Sequence, residues 1–283
     1  MKISRNNSFI LFILLSLSVT FGQNEITLLA YKAFPSIFKE MDFNPDKVQV
    51  GLADNIYLLD KYSRQICRLD SEQDVIFYGS FGRGDNSFFE PVWIGFTSDG
   101  LWVLDRTENK LGQLDYRLNK IRSIELDNKT YPEQAAIDPF GRFFLSSHQY
   151  QMIHGTGQSN VLDGAIIELN DYDDIMSCAS DFRINDNGEF GLLTFCDGMV
   201  HIFNSIGKRI QVDKVSLNNP KYLVPIRNKW LILNEIGEGE YLFTNKYVQL
   251  PGIVGFIKDA ISQNRTLIIL SEDQVLYLNV PTF

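Results

Sequence analysis

Ala53–Asp70 reads ADNIYLLDKYSRQICRLD, and Ser98–Asp115 reads SDGLWVLDRTENKLGQLD. The two stretches align without a gap at an offset of 45 residues. Ile56-Tyr57-Leu58-Leu59 falls on Leu101-Trp102-Val103-Leu104, Asp60 on Asp105 and Asp70 on Asp115. Each copy is a turn, an apolar strand ending in Asp, a polar turn and a second strand ending in Leu-Asp. Short apolar runs bounded by Gly, Asn and Asp are strand-and-turn chemistry, and self-similarity at such a period marks a propeller or an array.

Outward from this pair, the turn-plus-strand unit recurs. Asn55 precedes IYLLD, Gly100 LWVLD, Gly141 RFFLSS, Gly188 EFGLLTF, Lys229 WLILNE and Arg265 TLIILSE. Each unit divides into four strands; in the second they are VWIGF, LWVLD, KLGQLD and IRSIEL. Six units of this kind predict an all-β, six-bladed propeller forming a single domain over residues 23–283. The sixth unit supplies only three strands, GFIKDAI, TLIILSE and QVLYLNV. Ile26–Tyr31, ITLLAY, is therefore expected to close the ring as the outer strand of the last blade, leaving no open edge. Helical spacing is not sustained after residue 22; Phe34–Met41 carries Pro35 and spans two turns at most.

Residues 1–22 read as a secretory signal. Lys2 and Arg5 are its basic region, Phe9–Val19 an apolar core of 11 residues, and Thr20-Phe21-Gly22 a small-residue cleavage pattern. That core is short of the ~20 residues that span a bilayer, and no later run approaches that length. Protein beyond Gly22 is expected to be periplasmic or otherwise extracytoplasmic, with no transmembrane segment. The chain carries a net charge of −9, with acidic and basic residues interspersed. That balance argues against nucleic acid, which is held by clustered Lys and Arg.

Three cysteines are too few for a disulfide-built scaffold. Cys67 sits on a repeated strand and reads as a small buried residue. Cys178 and Cys196 are equidistant from Asn187, so strands reaching that far would set them opposite each other within disulfide reach. A bonded pair and two free thiols are both open.

The stretch Gly79–Asp115 is similar to the NHL-type six-bladed propeller repeat. Phe81-Gly82, Phe89, Pro91, Asp99-Gly100, Asp105 and Asp115 match that family's pattern in order, and from Ala135 onward only a strand rhythm persists. The resemblance implies a fold shared by binding modules, lyases and lactonases, and so implies no single activity. Its enzymes hold a metal in the central channel through Glu, Asp, Asn or His; inner-strand candidates here are Asp138, Asp181, Arg183, Asn185, Arg227, Lys258 and Asp259.

Strand direction puts the turns between second and third strands on the same face as the links between blades. Asp60, Asp105, Glu90, Glu235 and Glu272 gather there as a candidate binding face. His148 and His154 flank Ser146–Asp163, read as an insertion between the middle strands of the third unit. No metal site is expected from two imidazoles without further convergent ligands. No cofactor is expected either, with Ca²⁺ or another divalent ion at Asn185–Glu189 or Asn170–Asp174 as the alternative, since neither stretch has the ligand spacing of a Ca²⁺ loop. The residues lead to a binding or scaffolding propeller of the bacterial cell envelope with a protein partner, for example an accessory subunit that plugs or caps an outer-membrane assembly. A metal-dependent lactonase or lyase working in the channel is the alternative.

Overall fold

A run such as Ile56-Tyr57-Leu58-Leu59, with no polar alternation, has to be covered on both faces. The structure, a computed structural model, describes residues 25–281 apart from 73, 83, 85, 127–128, 157–161, 176–177 and 245. The signal-like segment 1–22 lies outside the described residues. Among these, 24 strands form six antiparallel sheets of four. Blade one comprises Lys47–Val50, Ile56–Asp60, Gln65–Leu69 and Val75–Tyr78. Blade two comprises Pro91–Thr97, Gly100–Asp105, Lys110–Leu114 and Lys120–Glu125. Blade three comprises Gln134–Ile137, Phe143–Ser147, Met152–Thr156 and Leu162–Glu168. Blade four comprises Ala179–Ile184, Phe190–Thr194, Met199–Phe203 and Arg209–Lys214. Blade five comprises Tyr222–Ile226, Lys229–Leu233, Glu238–Tyr241 and Lys246–Gln249.

Blade six combines Asp259–Gln263, Thr266–Leu270 and Gln274–Asn279 with the N-terminal strand Thr27–Ala33. Thr27 pairs with Asn279 and Ala33 with Gln274, so the ring closes as the strand count required. The segment after that strand forms one helix, α1 (Ile37–Glu40), which tucks Phe38 against Phe43 with ring centroids 4.8 Å apart.

The core is six clusters, one between each pair of adjacent blades. Ile56 and Leu58 pack against Ile268 and Leu270 of blade six, whereas Tyr57 and Leu59 pack against Leu101 and Val103 of blade two. Alternate side chains of one strand thus serve two interfaces, which is why the second strand of each blade lacks polar alternation. Each fully buried Leu contributes about 1.5–3 kcal/mol through its removal from water. Gly100 is fixed by the turn before its strand: its φ is +128°, and a Cβ there would lie 2.2 Å from the Leu114 carbonyl oxygen.

Blade three departs from the expected insertion. The turn between its middle strands is four residues long, 148–151, because Ser147 pairs directly with Met152. Of the rest of that stretch, residues 152–156 and 162–163 lie on the third and outer strands, and 157–161 lie outside the described residues. His154 is accordingly a strand residue, paired with Leu145 and only 6% exposed, rather than part of a solvated loop. No helix of the described residues is long and apolar enough to cross a membrane.

Candidate functional site on the link face

The face that carries the links between blades also carries the turns from second to third strands. At the last position of each second strand, or one beyond it, stands a small polar residue. These are Asp60, Asp105, Ser147, Thr194, Asn234 and Ser271, none more than 4% exposed. Asp60 accepts hydrogen bonds from the backbone N–H of Tyr62 and Ser63 in its own turn and from Asn44 in the preceding link. Asp105 repeats the arrangement, accepting from Glu108 in the turn and from Phe89 and Glu90 in the link at 2.7–3.3 Å. Burial pushes the Asp105 carboxyl up, and those backbone bonds pull it back. Both aspartates are therefore withdrawn from the candidate binding face: they tie each turn to the link beside it, and a partner cannot reach them.

The remaining candidates stay near the surface. Glu90 accepts from Thr107 Oγ1 at 2.8 Å and pairs with Arg106 at 3.2 Å. Arg106 also approaches Glu133, at 3.9 Å. Glu235 pairs with Lys221, and Glu272 is exposed against Gly255 of the link between blades five and six. The half-buried His148 donates its backbone N–H to Glu133. Cys178, in the link entering blade four, is bonded to Cys196 in that blade's second-to-third turn, with Cα atoms 6.1 Å apart. The bond lies just beyond the paired register, where the Phe195 N–H donates to the Cys178 carbonyl at 3.1 Å. Cys67 is buried and its thiol is pushed up by desolvation.

Large apolar side chains stand among these charges. Tyr62, Tyr150, Phe195 and Ile236 project from the turns of blades one, three, four and five, and Phe81, Val254 and Phe256 from links. Tyr62 is 84% exposed and Phe195 56% exposed. The sequence reading found the acidic members of this face and missed the apolar ones, which lie singly in polar turns. Phe88 and Trp93, close by in sequence, are buried.

At the centre of the face a depression of about 490 Å³ opens between the inner strands, walled by residues such as Lys47, Lys61, Glu133, Lys221, Phe256 and Lys258. It narrows to a waist of about 20 Å³, enough for roughly one water. Below the waist a chamber of about 190 Å³ opens to the other face. The waist is crossed by an ion network. Arg183 bonds Asp181 at 3.0 Å and Asp259 at 3.2 Å, and Lys47 reaches Asp259 at 3.3 Å. The other carboxylate oxygens accept from Val48 and Leu223 backbone N–H groups. Burial opposes the Arg183 charge, yet Asp181 and Asp259 beside it raise its pKa further, so it remains cationic. Two carboxylates and two cations balance within the channel, and the network joins blades one, four, five and six.

Of the other inner-strand candidates, Lys258 walls the link-face depression, whereas Asp138, Asn185 and Arg227 stand at turns on the opposite face. Asp138 caps the turn to Arg142, which it pairs at 2.7 Å. Asn185 accepts from Asn187 and Glu189 backbone N–H groups, so Asn185–Glu189 is a side-chain-capped turn.

Together these features define a class: a six-bladed propeller of four-stranded blades, closed by its N-terminal strand. No family model matches the chain, and no curated protein matches it in sequence. Among solved structures it is similar to virginiamycin B lyase from Staphylococcus aureus, with a TM-score of 0.62 and 11% identity over 83% of this chain and 80% of that one. It is also similar to the Pan2 WD40 domain of Neurospora crassa, with a TM-score of 0.57 and 9% identity over 93% and 98% of the two chains. At such identities the likeness shows the fold alone, shared here by an enzyme and a WD40 domain.

Proposed function

We propose that this protein is an exported binding propeller, of the NHL-type repeat, that docks a protein partner on its link face. The observation that carries the reading is the set of apolar side chains standing on the link-face turns, with Tyr62 and Phe195 foremost. Apolar groups rimmed by charge are what interfaces use, aromatic anchors above all. Support for export comes from the signal-like residues 1–22 and from the Cys178–Cys196 bond, which suits an oxidising compartment. In this reading residues from 23 onward work in the bacterial periplasm, and the partner belongs to an outer-membrane assembly that the propeller plugs or caps. The axial carboxylates act as ties between blades, since their oxygens are spent on Arg183, Lys47 and backbone amides.

The test is affinity purification of the tagged full-length protein from native membranes in mild detergent. Tyr62→Asp, Phe195→Asp and Phe256→Asp are compared together against the unaltered chain. A membrane protein recovered with the unaltered chain and reduced at least tenfold with the triple variant is the expected outcome. Equal recovery in both, or recovery of no partner, overturns the reading.

A further inference from the structure

The face opposite the links carries the turns between first and second strands, and its charge is divided. Blades one to four place Asp54, Asp99, Asp138 and Asp186 there. Blades five and six place Arg227-Asn228 and Asn264-Arg265 in two-residue turns, because Ile226 pairs with Lys229 and Gln263 with Thr266. Between these two blades lies a half-enclosed pocket of about 200 Å³. Arg227, Lys229 and Arg265 line it, and none of its described lining residues is acidic. Its apolar wall is Ile226, Val280 and Pro281.

Two arginines meeting in a pocket with no acidic residue among its described lining, in a chain of net charge −9, mark a place where an anion is welcome. The Arg227 and Arg265 guanidinium groups take part in no ion pair with a described residue. Arg227 is held at a φ of 55°, a conformation that L side chains rarely adopt. Guanidinium groups recognise planar or tetrahedral oxyanions through paired N–H donors. The pocket is smaller than the ~300–1,000 Å³ that encloses a drug-sized ligand, so its occupant is small.

We infer that this inter-blade pocket binds a small organic oxyanion, its phosphate or carboxylate held by Arg227 and Arg265 and its apolar body lying on Ile226, Val280 and Pro281. The site is on the face away from the proposed partner, so either can fail without the other.

Calorimetric titration of the whole protein at constant ionic strength tests this, with phenyl phosphate, benzoate and inorganic phosphate as probes. Phenyl phosphate or benzoate is expected to bind at one site, more tightly than inorganic phosphate; whichever of the two binds tighter identifies the headgroup. Combining Arg227→Asn with Arg265→Gln is expected to weaken that binding at least tenfold while circular dichroism stays unchanged, since Asn suits the left-handed backbone at 227. Absence of binding by both organic probes, inorganic phosphate binding equally well, or undiminished affinity in the double variant overturns the inference.

Discussion

A carboxylate buried at a strand end costs free energy unless its oxygens are filled, and Asp105 fills both with three backbone N–H groups. The pairing of Asp60 with Asp105 was legible in the sequence as a repeated turn residue. Their burial was not, because the amides that cover them, Asn44 and Phe89, belong to links whose path the repeat does not specify. Histidines pose the reverse problem. His201 is fully buried, its ring nitrogens have no partner among the described residues, and desolvation depresses its pKa below 6.5. The folded state thus keeps this imidazole neutral while the unfolded chain takes up a proton near pH 6.5. Its contribution to stability is complete above that pH and is lost as pH falls toward the folded value, at up to about 1.4 kcal/mol per pH unit. Urea unfolding at pH 7.5 and pH 5.0 should show a larger loss for the unaltered protein than for His201→Leu. Equal losses would refute the assignment.

At the scale of elements, strands buried on both faces were the easiest to read. IYLL and LWVL need no knowledge of partners, because the lack of polar alternation already demands a blade on either side. Met152–Thr156, MIHGT, was the hardest: His154 and Gly155 break the apolar run, so a strand looked like an inserted loop. Links and turns hold one another through Asp60 and Asp105 in blades one and two, and blade four adds a covalent tie. The Cys178–Cys196 bond closes a loop with a sequence separation of 18 residues, for which chain-entropy arguments give about 3 kcal/mol. Replacing both cysteines with Ala should lower the unfolding free energy by about that amount. A change below ~0.5 kcal/mol in denaturant titration would show the tie to be energetically idle.

For the whole molecule, the channel's centre is an electrostatic clamp whose members are far apart in sequence: Lys47 and Asp259 are 212 residues apart. Nothing local announces such a pairing, and the sequence could offer only a mixture of signs on inner strands. Arg183→Leu leaves buried Asp181 without its cation and Asp259 with Lys47 alone, and losing one partner of a buried ion pair costs about 3–5 kcal/mol. Chemical denaturation of that variant should show a loss in this range, and a loss under ~1 kcal/mol would mean that water replaces the guanidinium freely.

Ring closure has a consequence for how the chain is made. Blade six needs both Thr27–Ala33 and Gln274–Asn279, and the first leaves the ribosome long before the second. Early blades can form hairpins as they emerge, but the circle stays broken until Gln274–Asn279 has emerged too. Until then, machinery handling the nascent polypeptide meets a ribbon with loose ends rather than a closed ring.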